Sequence, residues 1–89
     1  MNFHSIQFNT DIWREGNMYV SYVPQLDISS CGRTIEEAKN NIHDAVEGFI
    51  EEATNMGTVQ QIMDEAGFTF ENGWKAPEYV GVEKMTLAF

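Results

Sequence analysis

The sequence predicts a small α+β domain in which helices pack on one face of a small antiparallel or mixed sheet, in the order β-β-β-α-α-β. Three observations predict this class: short alternating segments separated by turn signals over the first 32 residues, a long amphipathic pattern after them, and a final alternating segment. The 89 residues contain no repeat and no low-complexity linker. We therefore expect one domain, residues 1–89.

The first two elements are predicted to form a hairpin. Residues 2–13 alternate loosely between apolar and polar side chains, as a half-buried strand does. Glu15-Gly16-Asn17 is a turn signal, since Gly and Asn tolerate positive φ. Residues 18–23 carry the β-branched and aromatic side chains that suit a pleated surface, so they form the second strand.

A third strand and a helix start are predicted next. Pro24 ends the second strand because proline has no backbone N–H to donate. A short strand is expected over residues 27–30, broken by Cys31-Gly32. Thr34 then caps a helix, with Glu37 in position to complete a capping box.

The helical region predicts two helices on one side of the sheet. The first runs from about Ile35 to Asn55 and ends at Gly57 in a left-handed conformation. Thr58 caps a shorter second helix, with Gln61 as its reciprocal partner, and Gly67 ends it. The apolar stripe of the first helix consists of Ile35, Ala38, Ile42, Ala45, Val46, Phe49, Ile50 and Ala53.

The last third of the chain predicts one more strand and a dimer. A brief strand over Phe68–Phe70 and the turn Glu71-Asn72-Gly73 lead into an irregular connection that contains Trp74 and Pro77. Residues 78–89 alternate with apolar side chains on both sides, which indicates a strand that is buried on both faces or has one face covered by a second subunit. The predicted dimer interface consists of Tyr79, Val80, Val82, Met85, Leu87 and Phe89.

The charge balance indicates which partners the chain attracts. Fourteen carboxylates face five scattered basic side chains, for a net charge of −9. Phosphate contacts need clustered Lys and Arg, so direct nucleic-acid binding by this chain alone is not expected, whereas a basic protein would be attracted. A single cysteine favours a reducing cytoplasm. The sequence contains neither a signal-peptide pattern nor an apolar stretch long enough to span a membrane.

Candidate catalytic and metal-binding groups have simpler explanations. Cys31 with His4 or His43 could form a nucleophile and base, but most lone cysteines are small buried packing groups. His43, Asp44, Glu47 and Glu51 share a helix face that cannot surround an ion, so they are interpreted as a solvated acidic surface. We expect no catalysis, no cofactor and no metal.

The middle of the chain resembles a known family. Tyr19-x-Ser21-x-x-Pro24-x-Leu26, Ser30-Cys31-Gly32-x-Thr34 and Glu37-Ala38 occur in the order and spacing of the N-terminal domain of HicB-like antitoxins, over roughly residues 3–53. This resemblance implies a reduced RNase H-like sheet without an active site, a homodimer, and a partner that is a small basic mRNA-cleaving toxin (HicA-like). Longer family members append a DNA-binding domain, and residues 58–89 offer no such module. They resemble shorter stand-alone relatives.

The predicted function is therefore to bind and mask a small basic toxin. The predicted partner-binding residues are Trp13, Tyr22, Pro24, Leu26 and Asp27 for short-range fit, and Glu36, Asp44, Glu47 and Glu51 for long-range attraction. The alternative is a stand-alone structural or adaptor homodimer that has neither a toxin partner nor catalysis.

Overall fold

A computed structural model describes residues 5–89 and confirms the α+β class. Three strands precede two helices, and a two-stranded ribbon follows them. The elements are β1 (Asp11–Glu15), β2 (Met18–Val23), β3 (Ile28–Gly32), α1 (Ile35–Met56), α2 (Val59–Glu65), β4 (Thr69–Phe70) and β5 (Trp74–Lys75). An RNase H-like arrangement stays an expectation of the family resemblance.

The three-stranded sheet is an antiparallel meander with the order β1-β2-β3, so β1 and β3 are its edges. Successive side chains of a strand point to opposite faces, and the register aligns them in rows. Ile12, Ser21 and Ser30 form one such row, and Trp13, Val20 and Cys31 form the next, on the opposite face. The sheet thus has two chemically different faces, and α1 covers only the first.

Helix α1 begins and ends as its sequence predicts. The Thr34 Oγ1 accepts a hydrogen bond from the Glu37 N–H at 3.0 Å, which satisfies one of the N–H groups left free at a helix start. The side chain of Glu37 makes no return bond among the described residues, so the capping box is half formed. Gly57 ends the helix with a φ of 74°, and its N–H donates to Ala53 and Thr54 carbonyls.

Three contacts hold α1 against β2 and β3. The buried Ser21 Oγ donates to the Ala38 carbonyl oxygen at 2.8 Å, and the Asn41 side chain donates to the Cys31 carbonyl oxygen at 2.8 Å. Gly32 lies so close to the helix that a Cβ built on it would stand 2.6 Å from the Ala38 nitrogen. The absence of a side chain at this glycine allows the close approach.

The core is small, as expected for a chain of this length. Its fully buried apolar side chains come from β2, both helices and the segment after α2, and they are Val23, Ala38, Ile42, Ala53, Met63 and Phe68. Phe8 extends this core towards the N-terminus, with its ring centroid 5.4 Å from that of Phe68. Ile35, which the predicted stripe includes, is exposed in the first turn of α1.

Several predicted boundaries are wrong. The first strand begins at Asp11 and continues to Glu15, while residues 5–10 have no regular structure and residues 1–4 lie outside the described residues. Cys31-Gly32 continues β3 because both residues pair with β2, so these residues do not break it. Thr58 makes no side-chain cap bond to α2; its hydroxyl instead faces the Ala53 carbonyl at 3.4 Å.

The end of the chain also differs from its prediction. Trp74, expected in an irregular connection, pairs in β5 with Phe70 of β4. Residues 76–89 form no helix or strand, because no other strand within residues 5–89 supplies backbone hydrogen bonds to them. All their side chains are exposed, including the six of the predicted dimer interface. The radius of gyration is 15.1 Å, against about 12 Å for a compact domain of this length.

Candidate functional site

The face of the sheet turned away from α1 is the first candidate binding surface, and we call it the open face. No element of the described chain covers it. It carries the rows Glu15–Met18, Trp13–Val20–Cys31 and Asp11–Tyr22–Ser29. Aromatic and aliphatic side chains occupy its centre, and carboxylates lie on the edge strand β1.

Hydrogen bonds fix the aromatic groups of the open face. The Trp13 and Tyr22 rings meet edge to face with their centroids 6.3 Å apart. The Trp13 Nε1 donates to the Glu15 carboxylate at 3.0 Å, and the Tyr22 hydroxyl donates to the Asp27 carboxylate at 2.8 Å. Both rings are therefore held in place on a surface where Trp13 remains 42% exposed.

The β2–β3 turn places Asp27 beside Tyr22. Leu26 N–H donates to the Val23 carbonyl, and Asp27 N–H donates to the Pro24 carbonyl, both at 3.3 Å. Asp27 adopts a φ of 55°, in the left-handed region that Asp and Asn tolerate better than other side chains do. The turn thus brings the predicted residues Tyr22, Pro24, Leu26 and Asp27 together at one end of the sheet.

The Tyr22–Asp27 pair predicts a pH dependence. The hydrogen bond to Asp27 raises the pKa of Tyr22, and burial and the negative charges of Asp27 and Asp11 raise it further, because each disfavours the tyrosinate. The folded state therefore holds the Tyr22 proton more tightly than the unfolded state does. This stabilises the fold fully at pH values below the ordinary pKa of 10.0, and the stabilisation is lost as the pH rises through the raised pKa.

The measurement is an ultraviolet titration of tyrosinate absorbance in the intact protein. We expect one of the three tyrosines to titrate above its ordinary range, and Asp27→Asn to move that transition towards pH 10. Asparagine suits the left-handed backbone of this turn, so the substitution removes the charge without straining the chain. An unchanged titration curve in the Asp27→Asn variant would contradict the assigned hydrogen bond.

The predicted helix carboxylates lie on α1 and thus on the other side of the sheet. At about 100° per residue, Glu36, Asp44, Glu47 and Glu51 share the outward side of the helix, and all four are exposed. His43 adjoins this group, with its Nδ1 3.7 Å from the Glu47 carboxylate. The structure therefore separates the predicted partner-binding residues. Trp13 and Tyr22 lie on the open face and the four carboxylates lie on the acidic face of α1, whereas Leu26 in the β2–β3 turn lines a small cavity with Phe49 and Ile62 of the helices.

An apolar groove is the second candidate surface, and sequence reasoning did not find it. It has a volume of about 1010 Å³ and lies between residues 5–10 and α1, beside β1. Its apolar lining consists of Ile6, Phe8, Ile12, Val23, Ile42, Val46 and Ile50. The sequence assigned all seven side chains to a strand or to the helical stripe, which implied that they packed against each other. The groove exists because α1 packs over β3 and β2 and leaves the β1 side uncovered.

The candidate catalytic residues Cys31 and His43 lie on opposite sides of the sheet, and the candidate metal ligands lie along one helix. Cys31 is exposed on the open face, not buried as expected, because it alternates with Ser30 and Gly32 on the helix side. His43 lines the groove on the opposite side, so the two do not meet. His4 lies outside the described residues. Within residues 5–89, no three His, Cys, Asp or Glu side chains converge as a metal site.

Among residues 5–89, no helix has the length and apolarity to cross a membrane.

Comparison with known proteins does not assign this chain to a family. Family models, curated proteins and solved structures were compared with it, and no match was found. The functional inference therefore depends on the surfaces described above.

Proposed function

We propose that this chain is an antitoxin-type binding protein of the HicB-like class, which masks a small, basic, mRNA-cleaving toxin in the cytoplasm. The observation that carries the proposal is the open face, where Trp13 and Tyr22 lie among the carboxylates of Asp11, Glu15 and Asp27. The motif run from Tyr19 to Ala38 supports the class of partner.

The chemistry of the open face suits a basic protein surface. Arg and Lys side chains stack on Trp and Tyr rings, at about 0.5–1 kcal/mol when exposed and ~2 kcal/mol when water is excluded. The carboxylates of Asp11 and Glu15 on the edge strand would pair with the same cationic groups. A toxin that binds mRNA must present a basic surface, so the antitoxin would occupy the surface that RNA needs.

The acidic face of α1 contributes at longer range. A net charge of −9 attracts a basic partner and repels nucleic acid, which supports protein binding over direct nucleic-acid binding. Because exposed charges are screened beyond about 8 Å at physiological salt, these carboxylates would raise the association rate more than the final affinity. The association rate should therefore fall as the salt concentration rises.

The test co-expresses the full chain with the product of a short basic reading frame beside its gene, which the proposal requires to be the ribonuclease. We expect co-expression to restore growth, and the purified pair to form a complex that Trp13→Ala weakens about 30-fold, because a central tryptophan contributes about 2 kcal/mol or more at such interfaces. Trp74→Ala is the matched control. Trp74 contacts Phe70 in the separate β4–β5 ribbon, so it is not part of the open face.

Two results would reject the proposal. One is a ribonuclease that remains fully toxic in the presence of the chain, and the other is equal weakening by the two tryptophan variants. A chain that associates only with itself would favour the alternative of a structural homodimer, which the exposed apolar C-terminal residues also suit.

A further inference from the structure

The molecule contains an apolar groove and an apolar segment that remain uncovered in the same chain. The groove lies between residues 5–10 and α1, and the segment is residues 79–89, which we call the tail. We propose that the groove of one copy receives the tail of a second copy, so that two chains exchange tails in a symmetric dimer. The open face, which carries the short-range part of the proposed toxin interface, lies on the opposite side of the sheet, whereas Glu47 and Glu51 of the acidic face of α1 also line the groove.

The groove offers both apolar contacts and backbone partners to an extended segment. Its walls carry Ile6, Phe8 and Ile12 on one side and Ile42, Val46 and Ile50 of α1 on the other. β1 borders it and is an edge strand, so its outer N–H and C=O groups have no strand partner among residues 5–89. An added strand would satisfy these groups while its side chains fill the groove.

The pattern of the tail matches this requirement. Met85, Leu87 and Phe89 share one side of an extended chain, and Thr86 lies on the other with Lys84. A strand at the β1 edge can thus direct these three large apolar groups into the groove. Glu83, on the same side, would then lie at the groove's charged rim, which Lys39 and His43 line. The tail has eleven residues, so it is long enough to run along the stretch from Ser5 to Ile12 that borders the groove.

Charge makes the tail the part of a second copy that can approach the groove. The whole chain carries −9, so two copies repel each other over most of their surface. The tail contains one acidic and one basic residue, Glu83 and Lys84, and its side-chain charge sums to zero. The tail therefore adds no net charge to the neighbouring copy that it enters.

The area of the tail is sufficient for a stable dimer. An aromatic side chain such as Tyr79 or Phe89 covers about 150 to 250 Å² when it is buried. The groove side of each tail, with Tyr79, Met85, Leu87 and Phe89, covers on the order of 500 Å². Two tails and the groove surfaces that they cover then bury about 2,000 Å² in total, within the range of a stable interface. An apolar area of this size rarely stays exposed on a monomer.

The occupant is a second copy because the tail leaves its own domain. Pro77 lies against Gly67, where a Cβ on the glycine would stand 3.1 Å from the Pro77 Cγ. After this point every residue of the chain is exposed, with Leu87 at 76%. The tail of one chain and the groove of the same chain are thus both open, and exchange covers both at once.

The first experiment measures the mass of the full chain in solution by light scattering, alone and with single substitutions. We expect a dimer for the native chain and a twofold lower mass for Leu87→Asp at the same concentration. Leu87 is exposed within its own chain, so the substitution leaves the fold intact. Met56→Asp is the control, because Met56 is a similarly exposed apolar residue that does not line the groove, and it should remain dimeric.

The second experiment locates the contact by cross-linking two differently tagged copies with a short bismaleimide, in a Cys31→Ser background. A copy with Glu51→Cys at the groove should link to a copy with Thr86→Cys in the tail. Ser29→Cys is the control, since Ser29 is exposed on β3, the far edge of the sheet, and it should link at least tenfold less to Thr86→Cys.

Four results would overturn the proposal. They are a monomeric native chain, equal masses for Leu87→Asp and Met56→Asp, equal cross-linking from Glu51→Cys and Ser29→Cys, and a link within one chain that carries both Glu51→Cys and Thr86→Cys. The last result would mean that each chain fills its own groove.

Discussion

Gly32→Ala is expected to lower the free energy of unfolding by about 3 kcal/mol. A Cβ at this position would stand 2.6 Å from the Ala38 nitrogen and 2.9 Å from both the carbonyl carbon and the Cβ of Glu37. Two of these atoms belong to the backbone of α1, so they cannot move aside as the end of a flexible side chain does. The whole first half of α1 would have to shift away from β3.

A shift of α1 would also lengthen two hydrogen bonds. The Ser21 hydroxyl and the Asn41 side chain both connect the helix to the sheet within one turn of this contact, at 2.8 Å each. Leaving a buried hydroxyl such as that of Ser21 without its partner costs about 1–3 kcal/mol by itself. The effects of the clash and of the lost bonds therefore act in the same direction.

Urea unfolding followed by circular dichroism measures this change, and Gly48→Ala is the matched control. Gly48 lies in the middle of α1, and a Cβ added there would meet no atom of the described residues within 4 Å beyond its own helix turn. Alanine should therefore raise the free energy of unfolding by about 0.5–1 kcal/mol through helix propensity alone. The same chemical change is thus expected to have opposite signs at the two glycines. Equal effects at Gly32 and Gly48 would show that α1 does not approach β3 this closely.

Met63→Ala is the second large effect, and we expect a loss of about 3 kcal/mol. Met63 is 0% exposed and is among the largest fully buried side chains of the chain. Its truncation leaves a cavity between α2 and the rest of the core, and a helix of seven residues has little stability of its own to offset that loss. Because the Met63 carbonyl also accepts the Phe68 N–H at 2.9 Å, loosening α2 would also loosen the start of the β4–β5 ribbon.

Thermal and urea unfolding of Met63→Ala and Met56→Ala provide the comparison. Met56 is the last residue of α1 and is 68% exposed, so its truncation should change the free energy of unfolding by less than about 0.5 kcal/mol. For a domain of this size, about 3 kcal/mol corresponds to a fall in Tm of roughly 12 °C or more. A Met63→Ala variant as stable as Met56→Ala would contradict the packing of α2 into the core.

Local signals in the sequence were sufficient for α1 and for the turn and second strand of the first hairpin, but not for the extent of its first strand. The Thr34 cap, the apolar stripe and the Gly57 stop all act within four residues along the chain, and the helix begins and ends within one residue of the predicted positions. The turn at Gly16 likewise sets β1 opposite β2, with a φ of 62° that glycine adopts readily. For these elements the chain itself contains the information that determines the structure.

The candidate surfaces required the tertiary structure. Alternation predicts that a strand has two faces, but it does not say which face a helix covers. The packing of Gly32 against Ala38 puts α1 on one face, and Trp13 and Tyr22 therefore lie on the open face. The off-centre position of α1 created the groove from residues that the sequence placed in the core.

The tail shows most clearly which features depend on local sequence and which depend on tertiary packing. Its alternating apolar residues were visible in the sequence, and so was their distribution on both sides of an extended chain. Whether residues 79–89 form a strand depends on backbone partners from elsewhere, and residues 5–78 supply none to them. The sequence by itself determined the α+β class, the ends of α1 and the apolar character of the tail, because these depend on near neighbours. Tertiary packing alone decided what is covered and what stays open, because burial depends on segments distant along the chain.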